Sequence, residues 1–331
     1  MKRIFAPLFA FALLSACATA QPADVAAAPA PVAAPAPVTA GAGTLLDDTP
    51  RIAIATAYAP EFAALIPSLE GAQEYVVNGR PFYTGTLAGK PVILFETGVS
   101  IVNAAMNTQL LFDHFDVASI VVSGIAGGVD PSLSIGDVTV PAKWGQYNEM
   151  IFMRPKPGGG FMDYPWESGE KFKPFLFMRP NGVDIVSAED PDPEKRFWFY
   201  ADPRLLEIAR EVAPDVKFEL CASDGMCLHH MPKLVIGGNG VTGSVFQDYA
   251  PFREYLFDEF QAQVTEMETA AVAMVSHAND VPFIAFRSLS DLAGGGSAEA
   301  NEEEVFMNVA SENAAAVVEA FLRKYPEDML E

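Results

Sequence analysis

Val264-Thr265-Glu266-Met267-Glu268-Thr269-Ala270-Ala271-Val272-Ala273 changes its period in the middle. Val264 to Met267 alternates apolar and polar, as the end of a strand does. From Glu268 onward Ala270, Ala271, Met274, Val275 and Ala278 recur at three- and four-residue spacing, the signal of a helix running to about His277. Glu266, Met267 and Glu268 therefore sit at a strand-to-helix junction. In an α/β sheet that is the carboxyl end of a strand, where ligands tend to bind. A second junction follows. Pro282 to Phe286 reads as a buried strand ending in Arg287-Ser288-Leu289-Ser290-Asp291. Two neighbouring strand ends would then point three acids and an arginine at one place.

The same alternation extends to both sides. Arg51 to Ala57 is an apolar strand, Tyr58-Ala59-Pro60 turns, and Glu61 opens a helix through about Leu69. Pro60 suits a first helical turn, and on position alone Glu61 is a first-turn acid that favours the helix dipole. Phe82 to Leu87 and Pro91 to Glu96 form a hairpin. Thr97-Gly98-Val99-Ser100 leads into a helix from Ile101 to about Phe112; such a turn can cradle an anion, though this one has no lysine or arginine. Val117 to Ser123 is a central strand running into Gly124-Ile125-Ala126-Gly127-Gly128, where the glycines imply close approach of backbone or ligand. Their spacing is not a dinucleotide fingerprint, so no nicotinamide or other cofactor is expected. Pro203 to Val212 is an amphipathic helix, and Asn301 caps the last one. Together these elements predict a single three-layer αβα domain with a mixed, twisted central sheet over residues 50–331.

Composition narrows the partners. A net charge of −22, from 43 acids and 21 bases, repels nucleic acid, and no basic patch interrupts it. Lys2 and Arg3 precede an apolar run, Ile4 to Leu14, too short to span a membrane as a permanent helix. It ends in Leu14-Ser15-Ala16-Cys17, which resembles a bacterial lipoprotein signal with Cys17 as the lipid-bearing residue; cleavage of an ordinary signal peptide near Ala18-Thr19-Ala20 is the alternative. Either way the chain is expected to be exported. With the lipid it would be a periplasmic or outer-membrane-attached lipoprotein of a Gram-negative bacterium, held to the membrane by its acyl chains. Residues 18–49 are mostly Ala, Pro, Val, Thr and Gly and read as a semi-extended tether. Cys221 and Cys227 could form a short-loop disulfide, remain free thiols, or with His229 and His230 hold a metal; their spacing is uncommon for zinc, and no metal is expected. Aromatic residues scattered from Trp144 to Tyr200 suit a lid, an oligomer surface, or a cover for the sheet.

Glu61, Ser123 to Gly128, Thr265-Glu266-Met267-Glu268 and Arg287-x-x-Ser290-Asp291 resemble, in order and spacing, the purine nucleoside phosphorylase and nucleosidase superfamily. The likeness is closest to methylthioadenosine/S-adenosylhomocysteine nucleosidases and covers roughly residues 51 to 325. The resemblance implies a purine nucleoside substrate and a homo-oligomer. It assigns Asp291 as the acid that protonates purine N7, steadied by Ser290, and Glu61 as the base that positions and deprotonates water. Glu268 would hold the ribose hydroxyls, Met267 would pack on the sugar face, and Phe246, with Val245 beside it, would stack on the purine. Read without the resemblance, Met267 and Phe246 are equally core residues, and Glu266 either orients Arg287 or sits in the sheet.

Two carboxyl groups flanking a glycosidic bond are what acid–base hydrolysis requires. Phosphorolysis needs a cation cradle for a dianion, and neither Ala57-Tyr58-Ala59-Pro60 nor Gly98 to Val102 contains arginine. Ile125 stands where related enzymes have serine. The expectation is a purine nucleosidase, with a phosphate-dependent phosphorylase or a non-catalytic nucleoside-binding surface protein as alternatives.

Overall fold

The structure is a computed structural model. It describes residues 45–330 except 168, 224, 226 and 297–301, and only the backbone of 302–305. Cys17, most of the 18–49 tether, Ser297 and the cap at Asn301 lie outside the described residues.

In chain order the elements are β1 (Asp47–Thr56), α1 (Ala59–Ala63), β2 (Glu70–Val77), β3 (Arg80–Leu87), β4 (Lys90–Glu96), α2 (Ile101–His114) and β5 (Phe115–Gly128). Then come β6 (Val138–Val140), β7 (Lys143–Gln146), β8 (Met150–Phe152), β9 (Met178–Pro180), β10 (Val183–Ile185), β11 (Glu194–Arg196), β12 (Trp198–Tyr200) and α3 (Pro203–Val212). The chain closes with β13 (Leu234–Ile236), β14 (Asn239–Thr242), α4 (Ala250–Phe260), β15 (Ala262–Glu266), α5 (Thr269–Ala278), β16 (Phe283–Asp291) and α6 (Glu302–Lys324).

One mixed sheet carries most of these strands, in the order β12-β7-β14-β15-β5-β1-β4-β3-β2. β5 is its axis. It lies parallel to β1 and β16 and antiparallel to β15. Ile120 and Val121 are fully buried, as expected of a strand covered on both faces. Helices α6, α1 and α3 form one outer layer and α2 with α5 the other. Phe286 of β16 meets Phe321 of α6 at 5.2 Å between ring centroids. Small side chains at Ala270, Ala271 and Ala273 bury α5, and Asn279 exchanges amide hydrogen bonds with Gln109 of α2.

Several expectations change. β15 and β16 are not neighbours: β5 lies between them, and its Gly127 pairs with both Thr265 and Asp291. The glycine run 124–128 is not a turn after β5 but its last third. The first strand begins at Asp47 rather than near Pro50, because Asp47 pairs with Phe115 and binds the Arg51 guanidinium at 2.8 Å. The helix from Glu61 ends at Ala63 rather than Leu69, since Pro67 has no N–H to give the Ala63 carbonyl, and the chain passes instead into a 3-10 turn at Ile66–Ser68. The region Trp144–Tyr200 is neither bare loop nor only a cover. Tyr147, Phe172, Phe197 and Trp198 join Phe252, Leu256 and Phe260 of α4 in a second hydrophobic core. Phe197 stacks on Phe260 at 5.4 Å. Of the alternatives open to Cys221 and Cys227, the structure has the short-loop disulfide.

Candidate active site

A pocket of about 200 Å³ opens where β1, β4, β14, β15 and β16 end, against the last third of β5. Glu61, Val245, Phe246, Met267, Glu268, Ser290 and Asp291 all line it. Folding thus gathers every residue assigned to the substrate site, from positions as far apart as 61 and 291. Ile125, Ala126 and Gly127 form one wall.

The acids are organised by Arg287, which is 1 % exposed. Its Nη2 lies 2.5 Å from Glu266 Oε2 and 3.5 Å from Glu268 Oε2, and its Nη1 lies 3.6 Å from Glu61 Oε1. The rest of the guanidinium donates to Thr269 Oγ1 and the Ile125 carbonyl. Glu266 is the most heavily bonded of the three. Its Oε2 also accepts the N–H groups of Glu268 at 3.0 Å and Thr269 at 2.8 Å and the Thr269 hydroxyl, while Oε1 accepts the Thr242 hydroxyl. Each carboxylate oxygen offers about two lone-pair sites, so Oε2 has none left for a ligand. It caps the start of α5 and fixes Arg287.

Glu268 and Glu61 are less committed. Glu268 Oε1 accepts the Ser100 N–H at 2.7 Å. The group cradled by the turn Thr97-Gly98-Val99-Ser100 is therefore this protein carboxyl. Ser100 adopts φ +81°, a left-handed conformation costly for a non-glycine residue, and such strain collects at functional sites. Glu61 accepts the Ala57 N–H at 2.5 Å and the Ile125 N–H at 2.8 Å. The backbone of Ile125 thus holds Glu61 through its N–H and Arg287 through its carbonyl.

Gly124 makes this possible. A Cβ there would lie 2.3 Å from Glu61 Oε1 and 2.4 Å from Arg287 Nη1. The close approach implied by the glycine run is made by these side chains. Gly127 does the same for Asp291, whose Oδ1 would lie 2.8 Å from an added Cβ. Asp291 accepts the Ala293 N–H at 2.7 Å and the Ser290 hydroxyl at 2.9 Å.

Burial shifts the acids upward. It raises Glu61, against the opposing pull of Arg287 and its two N–H donors. It raises Asp291 against Ala293 and Ser290, with Asp248 adding to the rise. Glu268 is pushed up to about 8 by burial and by the Glu266 charge. Burial pulls Arg287 down, but Glu266, Glu61 and Glu268 outweigh it and hold its pKa above the ordinary value. Both flanking acids can therefore exchange protons nearer neutrality than free carboxyls do.

Sequence reasoning missed three supports: Ser100, Thr242 and Thr269. Ser100 was within reach of it, since the glycine turn before α2 was recognised as an anion cradle. The others announce themselves only through contacts between segments far apart in the chain.

A model of the phosphorylase superfamily matches residues 51–323. Bark storage protein A of Populus deltoides is 29% identical over 77% of this chain and 80% of its own length. A 5′-methylthioadenosine/S-adenosylhomocysteine nucleosidase of Tolumonas auensis is 29% identical over 83% of this chain and 99% of its own. The structure of the corresponding nucleosidase from S. pneumoniae with the transition-state inhibitor MT-ImmA is similar with a TM-score of 0.60 and 26% identity, over 82% of this chain and 98% of that one. The family match spans most of the sequence, and the chain belongs to the phosphorylase superfamily.

Proposed function

We propose that this protein is a purine nucleosidase, hydrolysing the N-glycosidic bond of a ribonucleoside of the adenosine, methylthioadenosine or S-adenosylhomocysteine type. The observation that carries the reading is that Glu61 and Asp291 share one pocket with Glu268, while no lysine, arginine or histidine lines it among the described residues. The nucleosidase relatives support it.

The chemistry follows from the geometry. The C1′–N9 bond breaks and its electron pair passes to the purine, whose N7 takes the Asp291 proton. Water forms the new bond to C1′ and gives a proton to Glu61. Glu268, with lone pairs still open, holds the vicinal ribose hydroxyls, and its anionic form favours the developing positive charge on the sugar. Met267 packs on the sugar face and Phe246 stacks on the base. Phosphate would enter a pocket already lined by four acids, with Arg287 committed to three of them.

A second reading, a nucleoside-binding storage protein, is favoured by the likeness to the bark storage protein. One experiment separates the readings. The purified domain is incubated with adenosine, inosine and methylthioadenosine, with and without phosphate. Free base and free ribose without phosphate are expected. A strict phosphate requirement, with ribose 1-phosphate as product, would make it a phosphorylase. Binding without product would make it a storage or binding protein.

The chain is exported, lipidated at Cys17 and tethered by residues 18–49; the basic start, the apolar run and Leu14-Ser15-Ala16-Cys17 support this. It works as a homo-oligomer, and exposed Val99 at the pocket, with exposed Val102 and Met106 on α2 just after it, supports that. Mass spectrometry of the native protein should find acyl groups on Cys17; an unmodified amino-terminus beyond it would refute the anchor.

A further inference from the structure

A second chamber of about 660 Å³ shares Val245, Phe246 and Gln247 with the active-site pocket. Its remaining walls come from α4, the segment before it and the Trp144–Tyr200 region, including Asn148, Met150 of β8, Phe175 and Met178 of β9. No charged side chain lines it among the described residues. Phe175 locks against Phe252 at 4.9 Å and Tyr147 against Phe252 at 5.4 Å, so the walls are packed into the second core rather than loose.

The shared segment fixes which end of a nucleoside meets this chamber. Ser244 Oγ lies 2.9 Å from Ser100 Oγ, beside the residue that holds Glu268, so the segment begins at the sugar end. Gln247 Nε2 donates to the carbonyls of Tyr249 and Ala293, and the Ala293 N–H binds Asp291, so the segment finishes beside the acid. In a purine with N9 on the sugar and N7 at Asp291, the substituent on C6 points away from the sugar on the acid's side.

We propose that this chamber is a subsite for a bulky, uncharged, apolar group carried on the C6 position of the purine. The inference rests on the nucleoside reading above. Tyr147 Oη and Asn148 Oδ1, both buried and both on residues that line the chamber, place polar atoms behind its apolar surface. Apolar pockets with a few such atoms are the usual form of small-molecule sites.

The test compares N6-benzyladenosine with adenosine, in the wild-type domain and in Met150→Trp and Met178→Trp, which narrow the chamber from residues that do not line the catalytic pocket. Wild type should favour the benzyl compound in kcat/KM by about tenfold. The variants should lose that preference and keep adenosine turnover. Calorimetry with the bases N6-benzyladenine and adenine reads the same contacts without catalysis. Rejection of the benzyl compound by a wild type that cleaves adenosine would overturn the subsite and leave the hydrolase standing. Tighter binding of the benzyl base with no cleavage of any nucleoside would support the subsite and remove the hydrolase. Variants that change the oligomer rather than the selectivity would show that a second copy fills the chamber, and would overturn the proposal.

Discussion

Arg287 Nη2 and Glu266 Oε2 stand 2.5 Å apart in the protein interior, and their pairing leaves Glu61 and Glu268 as the acids able to serve a ligand. One cation faces three carboxyl groups at 3.6 Å or less. With all three carboxyls ionised such a cluster carries a net negative charge, which each proton held within it reduces, and this agrees with the raised positions of Glu61 and Glu268.

The first prediction concerns that cation. Arg287→Met removes the only positive charge in the cluster and strands three buried acids. Breaking a buried pair from one side costs about 3–5 kcal/mol. Urea unfolding of the domain at neutral pH should show a loss of that size, partly recovered at acid pH as the stranded carboxyls protonate. A loss under about 1 kcal/mol, typical of a surface pair, would mean that the acids are not held by Arg287.

Gly124 tests the fit more finely. In Gly124→Ala the new methyl carbon would press on Glu61 Oε1 and Arg287 Nη1, at 2.3 and 2.4 Å, and both must shift. A small displacement of a catalytic group can cost on the order of 10²-fold in rate. We expect kcat for nucleoside cleavage to fall by about that factor, and stability by about 1–3 kcal/mol. A variant with wild-type kcat would show that the position of Glu61 does not matter to the reaction.

How much of this was legible depended on the range of the interaction. The period change at Glu268 marks the true β15–α5 junction because alternation and helical spacing are local properties. Pro203 to Val212 forms its helix with an Asp202 cap for the same reason. The placement of β5 between β15 and β16 could not be read, since neither strand's pattern names its neighbour. The three-residue strands from β8 to β12 are too short to show a period; packing of Phe172, Phe197 and Phe260 defines that region. At the site, Glu61 looked like an ordinary first-turn acid until the family resemblance was considered. What distinguishes it is 2 % exposure and two backbone donors, both consequences of folding.

Asp291 should separate leaving-group chemistry from binding. Asp291→Asn keeps the shape but has no proton to give N7. General acid catalysis contributes about 10²–10⁴-fold, and kcat for adenosine should fall within that range. A ribosyl substrate whose leaving group departs without protonation, such as p-nitrophenyl riboside, should be spared. An equal loss for both substrates would assign Asp291 to positioning, and an unchanged adenosine rate would remove it from the reaction.

Glu268 makes stability depend on pH in a defined direction. Its carboxyl is raised from 4.5 to about 8 in the folded chain. Between those values the folded protein keeps a proton that the unfolded chain has released. Stability therefore falls as pH rises across that window. The contribution is fully present below 4.5 and is lost as pH climbs through about 8. Glu268→Gln cannot ionise, so its melting temperature should decline less than that of wild type between about pH 5 and pH 9. The two should cross, with the variant more stable on the alkaline side. The same variant should bind nucleosides more weakly, because an amide accepts the ribose hydroxyls less strongly than a carboxylate does. Parallel melting curves across the whole range would mean that Glu268 is already ionised in the folded state, with Arg287 and the Ser100 N–H outweighing burial.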